Sequence, residues 1–179
     1  MNSTTHYPAA PALQSVETRT LSVIVDNEPG VLARVIGLFS GRGYNIDSLT
    51  VSETEHQKHL SRITIVTRGT PMVIEQIKNQ LERLVPIHRV VDMTLLRQPI
   101  QRELAMVKVR GTGDSRVEAL RLADAFAARV IDATAESFVF EITGRSDKID
   151  QFVELMLPLG LVGVSHTGVV AISRGPEGM

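Results

Sequence analysis

Apolar and polar positions alternate through "TLSVIVD", so that Leu21, Val23 and Val25 share one face of a strand. Pro29-Gly30 ends that strand and opens a helix in which Val31, Leu32, Val35, Ile36 and Phe39 recur at helical spacing, until Gly41 and Gly43 stop it. "NIDSLTVSE" predicts a second strand, "EHQKH" a turn, and "LSRITIVTRG", with Leu60, Ile63 and Ile65, the partner strand of a hairpin. Thr70 is placed to cap a second helix, with Pro71 near its first position and Ile74, Ile77, Leu81 and Leu84 inward. "IHRVVDMTLL" supplies a closing strand, and the order is βαββαβ.

The same order returns roughly eighty residues later, in pattern rather than in residues. "RELAMVKVRG" predicts a strand, followed by a helix from near Ser115 carrying Val117, Leu120, Ala123 and Ala127. "RVIDAT" and "SFVFEITG" form a hairpin, Ser146 stands as the cap of a helix with Ile149, Phe152, Val153 and Met156 inward, and "VGVSHTGVVAIS" supplies the last strands. The expected class is α+β, two ferredoxin-like βαββαβ sandwiches with helices on one face of an antiparallel sheet. Residues 1–16 form an N-terminal arm, 17–96 the first domain, 97–102 a linker around Pro99, and 103–179 the second domain.

Composition narrows the function classes. The 179 residues are 43% hydrophobic, enough for packed cores, and 19 Lys+Arg nearly cancel 20 Asp+Glu, so a formal net charge of -1 supplies no broad field for nucleic acid or an anionic membrane. With no cysteine there is no disulfide framework, thiolate metal site or cysteine nucleophile, which fits a cytoplasmic protein. The arm lacks the basic start and apolar run of a secretory signal, and nowhere does the chain approach ~20 consecutive apolar residues.

Groups suited to catalysis are thin. His56 and His59 make an H-x-x-H turn without an evident third ligand, and His6, His88 and His166 are scattered. No G-x-S-x-G isolates a nucleophile, and Asp47, Glu53 and Glu55 read as strand-end and turn carboxylates. Gly41 to Gly43 follows a helix rather than opening one, and Gly111 with Gly113 lacks both the dinucleotide glycine spacing and the P-loop lysine. An RNA-binding sheet needs exposed aromatic platforms; here there is no Trp, and Phe39, Phe126 and Phe152 fall at inward helical positions.

The loop from Asn27 to Leu32 suits a small zwitterion instead. Backbone N–H groups near Gly30, Val31 and Leu32 sit at a helix start with no preceding turn to satisfy them, Gly30 has no side chain to block approach, and Asn27 offers both a donor and an acceptor. Asn45 could close such a site from a second strand. The residues alone allow equally that Asn27 and Asn45 are turn formers and Gly30 a good helix opener.

Between these readings a resemblance decides. "LSVIVDNEPGVLARVIGLFSGRGYNIDSLTVSETE", "LSRITIV" and "HRVVDMT" resemble the ACT domain of the regulatory small subunit of acetohydroxyacid synthase, also called acetolactate synthase. The likeness continues, more loosely, through "RELAMVKV", "RVIDAT" and "HTGVVAISRG". It implies a non-catalytic chain that activates a large catalytic subunit and confers feedback inhibition by a branched-chain amino acid, usually valine. It also implies thiamine diphosphate, magnesium and FAD in that catalytic partner and no cofactor in this chain. By the same resemblance Asn27 and Gly30 belong to the effector loop, with Val31 and Leu32 nearby, and Asn45 and Ile46 meet it across the interface of a homodimer or higher oligomer. A stand-alone amino-acid- or metal-responsive regulator, including a transcriptional one, is the other reading of the fold; the arm carries neither a helix-turn-helix nor a basic cluster.

The arm has no apolar periodicity with which to join a core. Deleting residues 1–15 is expected to leave cooperative unfolding and large-subunit activation unchanged, measured by denaturant titration and by reconstituted synthase assays; loss of either shows that the arm docks.

Overall fold

The computed structural model describes residues 15–55, 59–96 and 99–176, and most of the expected arm lies outside these. The first half runs β1 (Glu17–Asp26), α1 (Val31–Arg42), β2 (Ser48–Glu55), β3 (Leu60–Gly69), α2 (Pro71–Leu81) and β4 (Ile87–Asp92). Its four-stranded antiparallel sheet has the order β2-β3-β1-β4, in which Leu21 lies opposite Ile65 and Val23 opposite Ile63. The second half runs β5 (Ile100–Arg110), α3 (Gly113–Ala125), β6 (Arg129–Ala133), β7 (Ser137–Gly144), α4 (Ser146–Met156), β8 (Leu161–His166) and β9 (Val170–Ile172). Its strand order, β6-β7-β5-β8, repeats the first topology, and β9 adds to the start of β5. The two βαββαβ units of the sequence pattern are therefore present.

Each sandwich closes over its own core. In the first, Leu21, Val23 and Val25 of β1 and Ile63 and Ile65 of β3 pack against Val31, Val35 and Phe39 of α1 and Ile74, Ile77 and Leu81 of α2. In the second, Val107, Phe140 and Ile142 of the sheet meet Ile149, Phe152 and Met156 of α4, and the Phe140 and Phe152 rings stand edge to face at 6.1 Å. Each fully buried large side chain contributes roughly 1.5–3 kcal/mol. α2 starts as its sequence demands, with Pro71 at the first turn and the Thr70 side chain accepting the Val73 N–H at 3.4 Å.

Several elements differ from the sequence pattern. Leu32 and Ile36 are 37% and 41% exposed, so only part of α1's apolar surface faces the core. α3 turns Ala119 and Ala123 inward and leaves Val117 58% exposed; Leu122 and Phe126 pack at the core edge, and burying that larger pair sets the helix rotation. Ala127 lies beyond α3 at φ 55. Ser146 is the first residue of α4, not its cap, which is Arg145, and the Ser146 Oγ donates to Glu103 Oε2 at 3.2 Å. The closing strand β4 ends at Asp92, whose carboxylate accepts the Thr94 N–H and turns the chain into a single 3-10 turn, Met93–Leu95. Residues 100–102, read from sequence as the end of a linker, are strand, with Ile100 opposite Ile172 and Arg102 opposite Val170.

The alternation in β1 suggests one buried face, yet Thr20, Ser22, Thr64 and Val66 are buried on the other. There the second half approaches: Thr18, Thr20 and Val66 face Gln101, Arg102 and Val169 across a cleft. The junction is hydrogen-bonded at the edge strand, where Thr50 Oγ1 donates to Val169 O at 2.6 Å and Val169 N–H donates to Ser48 Oγ at 2.9 Å. Gly168, at φ +85, makes this approach, and a Cβ there would lie 2.8 Å from Ser48 Oγ and 3.0 Å from Thr50 Cγ2. Gly168→Val combines a left-handed backbone with that clash and is expected to lower unfolding stability by about 2–3 kcal/mol. Denaturant midpoints check this, and an unchanged midpoint would show that the halves do not depend on the contact.

Candidate effector site at the ends of α1

The C-terminal end of β1 is held from two sides: Asp26 N–H donates to Pro86 O at 2.9 Å and Asn27 N–H to His59 O at 2.7 Å. Asp26 Oδ1 also lies 2.6 Å from His88 Nε2. The chain then passes through Glu28 and Pro29 to Gly30, whose φ of 88 and ψ of -9 start α1 from a left-handed turn. Unlike α2, α1 has no side-chain cap, and its first turn carries no acidic residue. Val31 N–H reaches Glu28 O at 3.4 Å and Arg34 N–H bonds Gly30 O at 3.0 Å. The N–H groups of Leu32 and Ala33 lie in the first turn, where the helix itself provides no acceptor.

This helix start is an open, electropositive surface with an apolar border. Asn27 and Gly30 are exposed, and a Cβ on Gly30 would meet nothing within 4 Å. Val31 is 4% exposed and its N–H is held by Glu28 O, whereas Leu32 presents its side chain with Ile36 one turn on. Such a surface can accept a carboxylate at the N–H groups and an aliphatic chain beside them.

Asn45 and Ile46 lie at the other end of the same helix. Gly43, at φ 68, and Tyr44 close α1 through hydrogen bonds to Ser40 O and Phe39 O, a Schellman turn. Twelve helical residues span about 18 Å. Within one chain, therefore, Asn27 and Gly30 do not meet Asn45 and Ile46. Asn45 is exposed and its Nδ2 donates to Asp47 Oδ1, while its carbonyl accepts from Thr67 Oγ1 at 2.6 Å. Asp47 in turn holds Arg68 in a two-point pair, Nη2–Oδ1 at 2.8 Å and Nε–Oδ2 at 2.7 Å, and that contact raises the Arg68 pKa. Ile46 is half-buried against the first core.

Sequence reasoning treated Asp47 as an ordinary strand-end residue and missed Arg68. No local signal joins them, since the sheet, not the spacing, brings Arg68 beside Asp47. His56, half of the H-x-x-H pair, lies outside the described residues. Among the described residues, no group of three or more His, Asp and Glu could hold a metal ion, and no helix is long and apolar enough to cross a membrane.

Residues 21–89 match a family described as the AHAS small subunit-like ACT domain, and residues 102–175 one described as the small subunit of acetolactate synthase. The chain belongs to the acetolactate synthase small-subunit family. The acetolactate synthase small subunit of Mycolicibacterium smegmatis is 41% identical over 162 residues, covering 90% of this chain and 94% of that protein. The small subunit of Haemophilus influenzae is 41% identical over 160 residues, covering 89% of this chain and 97% of that one. The crystal structure of the acetolactate synthase small subunit from Thermotoga maritima superposes with a TM-score of 0.80 at 35% identity, covering 90% of this chain and 99% of that one. The small subunit described here is thus the regulatory rather than the catalytic component of acetolactate synthase, and its partner is the catalytic subunit.

Proposed function

We propose that this small subunit activates the catalytic subunit and imposes feedback inhibition by a branched-chain amino acid, valine, bound between two copies of the chain. The observation that carries this reading is the arrangement of α1: an uncapped N-terminus beside Asn27 and Gly30, an exposed Leu32 and Ile36, and Asn45 held at the far end. Two α1 helices running antiparallel across a two-fold axis bring the helix start of one copy to Asn45 and Ile46 of the other. The effector's carboxylate takes the first-turn N–H groups of Leu32 and Ala33, beside Val31 whose own N–H is held by Glu28 O, its ammonium takes the Asn27 and Asn45 amide oxygens, and its aliphatic chain covers Leu32. Pairing through the edge of β2 also removes an exposed sheet edge.

A ligand shared by two chains favours the dimer arrangement that assembles both halves of its site. A coupling of about 1–3 kcal/mol between that arrangement and the catalytic subunit is sufficient for feedback control. In this reading thiamine diphosphate, magnesium and FAD belong to the catalytic partner, this chain holds no cofactor, and the complex is cytoplasmic.

Gly30→Asp and Asn45→Ala each test the site without touching a core position. Asp at position 30 directs a negative charge at N–H groups meant for a carboxylate; Gly30 has open space around it, and because its φ of 88 strains any side chain, thermal unfolding checks that the variant is folded. Each variant is expected to activate the catalytic subunit while losing valine inhibition, read from separate activation and valine titrations. Mixed dimers of the two variants contain one site with both defects and one intact site, so purified mixed dimers should recover about half of the valine-sensitive activity loss, and an equimolar random mixture about a quarter. Full valine sensitivity in either single variant refutes the site, and absence of rescue on mixing refutes its being shared between copies.

A further inference from the structure

The net charge of -1 conceals a local concentration of arginine at the junction of the halves. Two adjoining hollows, of about 630 and 360 Å³, share Ile100 and Arg102. The first is lined by Thr94, Pro99, Gln101, Arg145 and Arg174, the second by Arg62 and by Val170, Ala171 and Ile172 of β9. Among the described residues no Asp or Glu lines either hollow. Arg62 projects from the middle of the first sheet; its Nε is buried without a hydrogen-bond partner among the described residues, and burial lowers its pKa. Among the described residues Arg102 donates to the neighbouring Gln101 carbonyl at 2.8 Å, and Arg145 pairs with Asp147 at 3.4 Å, both arginines exposed to solvent.

The groove also has an apolar lip and a backbone edge. Ile100, Val170 and Ile172 are 37%, 54% and 53% exposed, and β9 pairs with β5 on one side only. An inorganic phosphate finds a poorer fit: the α4 N-terminus at the groove is already occupied by Asp147, whose carboxylate accepts the Lys148 N–H at 2.9 Å. A free amino acid would leave its ammonium without a carboxylate. Residues 1–14 of this chain contain no acidic residue and so do not complement the charge.

We propose that this groove docks an extended segment of the catalytic subunit in which acidic and aliphatic side chains alternate. The acidic groups meet Arg62, Arg102 and Arg145, the aliphatic groups cover Ile100, Val170 and Ile172, and the segment lies along the free edge of β9. This rests on the proposed function, since it supplies the surface through which the effector-controlled dimer reaches the enzyme.

The test compares binding of the purified catalytic subunit by wild type, by the exposed double variant Arg102→Glu/Arg145→Glu, and by Arg62→Gln, with thermal unfolding confirming that each variant is folded. The double variant should bind about tenfold or more weakly, with a flatter dependence on salt, and Arg62→Gln should weaken binding to a lesser degree. At saturating concentration both variant complexes should keep their valine response. Wild-type binding with unchanged affinity in the folded variants overturns the groove and leaves the proposed function standing; failure of the wild type to bind overturns both. If sedimentation shows that the variants change self-association alone, the groove seats a second copy and the proposal is wrong. It is equally wrong if inorganic phosphate raises the melting temperature of wild type and not of the double variant while catalytic-subunit affinity is unchanged.

Discussion

Two hydrogen bonds at Val169 tie the two sandwiches to each other. They join the loop after β8 to Ser48 and Thr50 on the edge strand of the other sheet, with Gly168 allowing the two backbones to approach. Because side chains alternate along a strand, the same β2 that offers Ser48 and Thr50 to the second half offers Leu49 to the first core. One strand thus serves both layers, and its first residues follow directly from Asn45 and Asp47. The candidate site and the inter-half junction are two sides of one short segment.

That arrangement offers the proposed effector site a contiguous path to the second half. In the proposed assembly a ligand at Asn45 would lie next to β2, which is hydrogen-bonded to the second half at Val169, directly before β9. The arginine-lined groove begins at β9. Packed sheets respond to displacement by rearranging as units rather than deforming smoothly, which suits a two-state control element better than a graded one.

The two helix starts of the first sandwich are built in different ways. α2 is closed by Thr70 and Pro71, which satisfy its first turn internally. α1 is left open by Gly30, and its stability comes from Val31, Val35 and Phe39 in the core. An exposed aliphatic pair on the solvent side of the same helix, Leu32 and Ile36, is consistent with a surface that is covered in the assembly.

Much of the fold was legible in the sequence because it depends on short-range periodicity. Alternation marked β1, β3 and β7, and Thr70-Pro71 and Gly43 marked helix ends through local backbone chemistry. Asn27 and Gly30 were legible as an unusual helix opening for the same reason. Periodicity failed where several faces of a helix carry apolar side chains, as in α1 and α3, since only packing selects which face turns inward. It also failed at the start of α4, where Ser146 falls one residue inside the helix and its Oγ donates to Glu103 from β5. Tertiary structure alone put Arg68 against Asp47, separated Asn45 from Gly30 by the length of α1, and gathered Arg62, Arg102 and Arg145 around one groove. Those residues lie far apart in sequence, and nothing in their spacing encodes the meeting; it follows from two sheets being pressed together, which is a long-range consequence of burial.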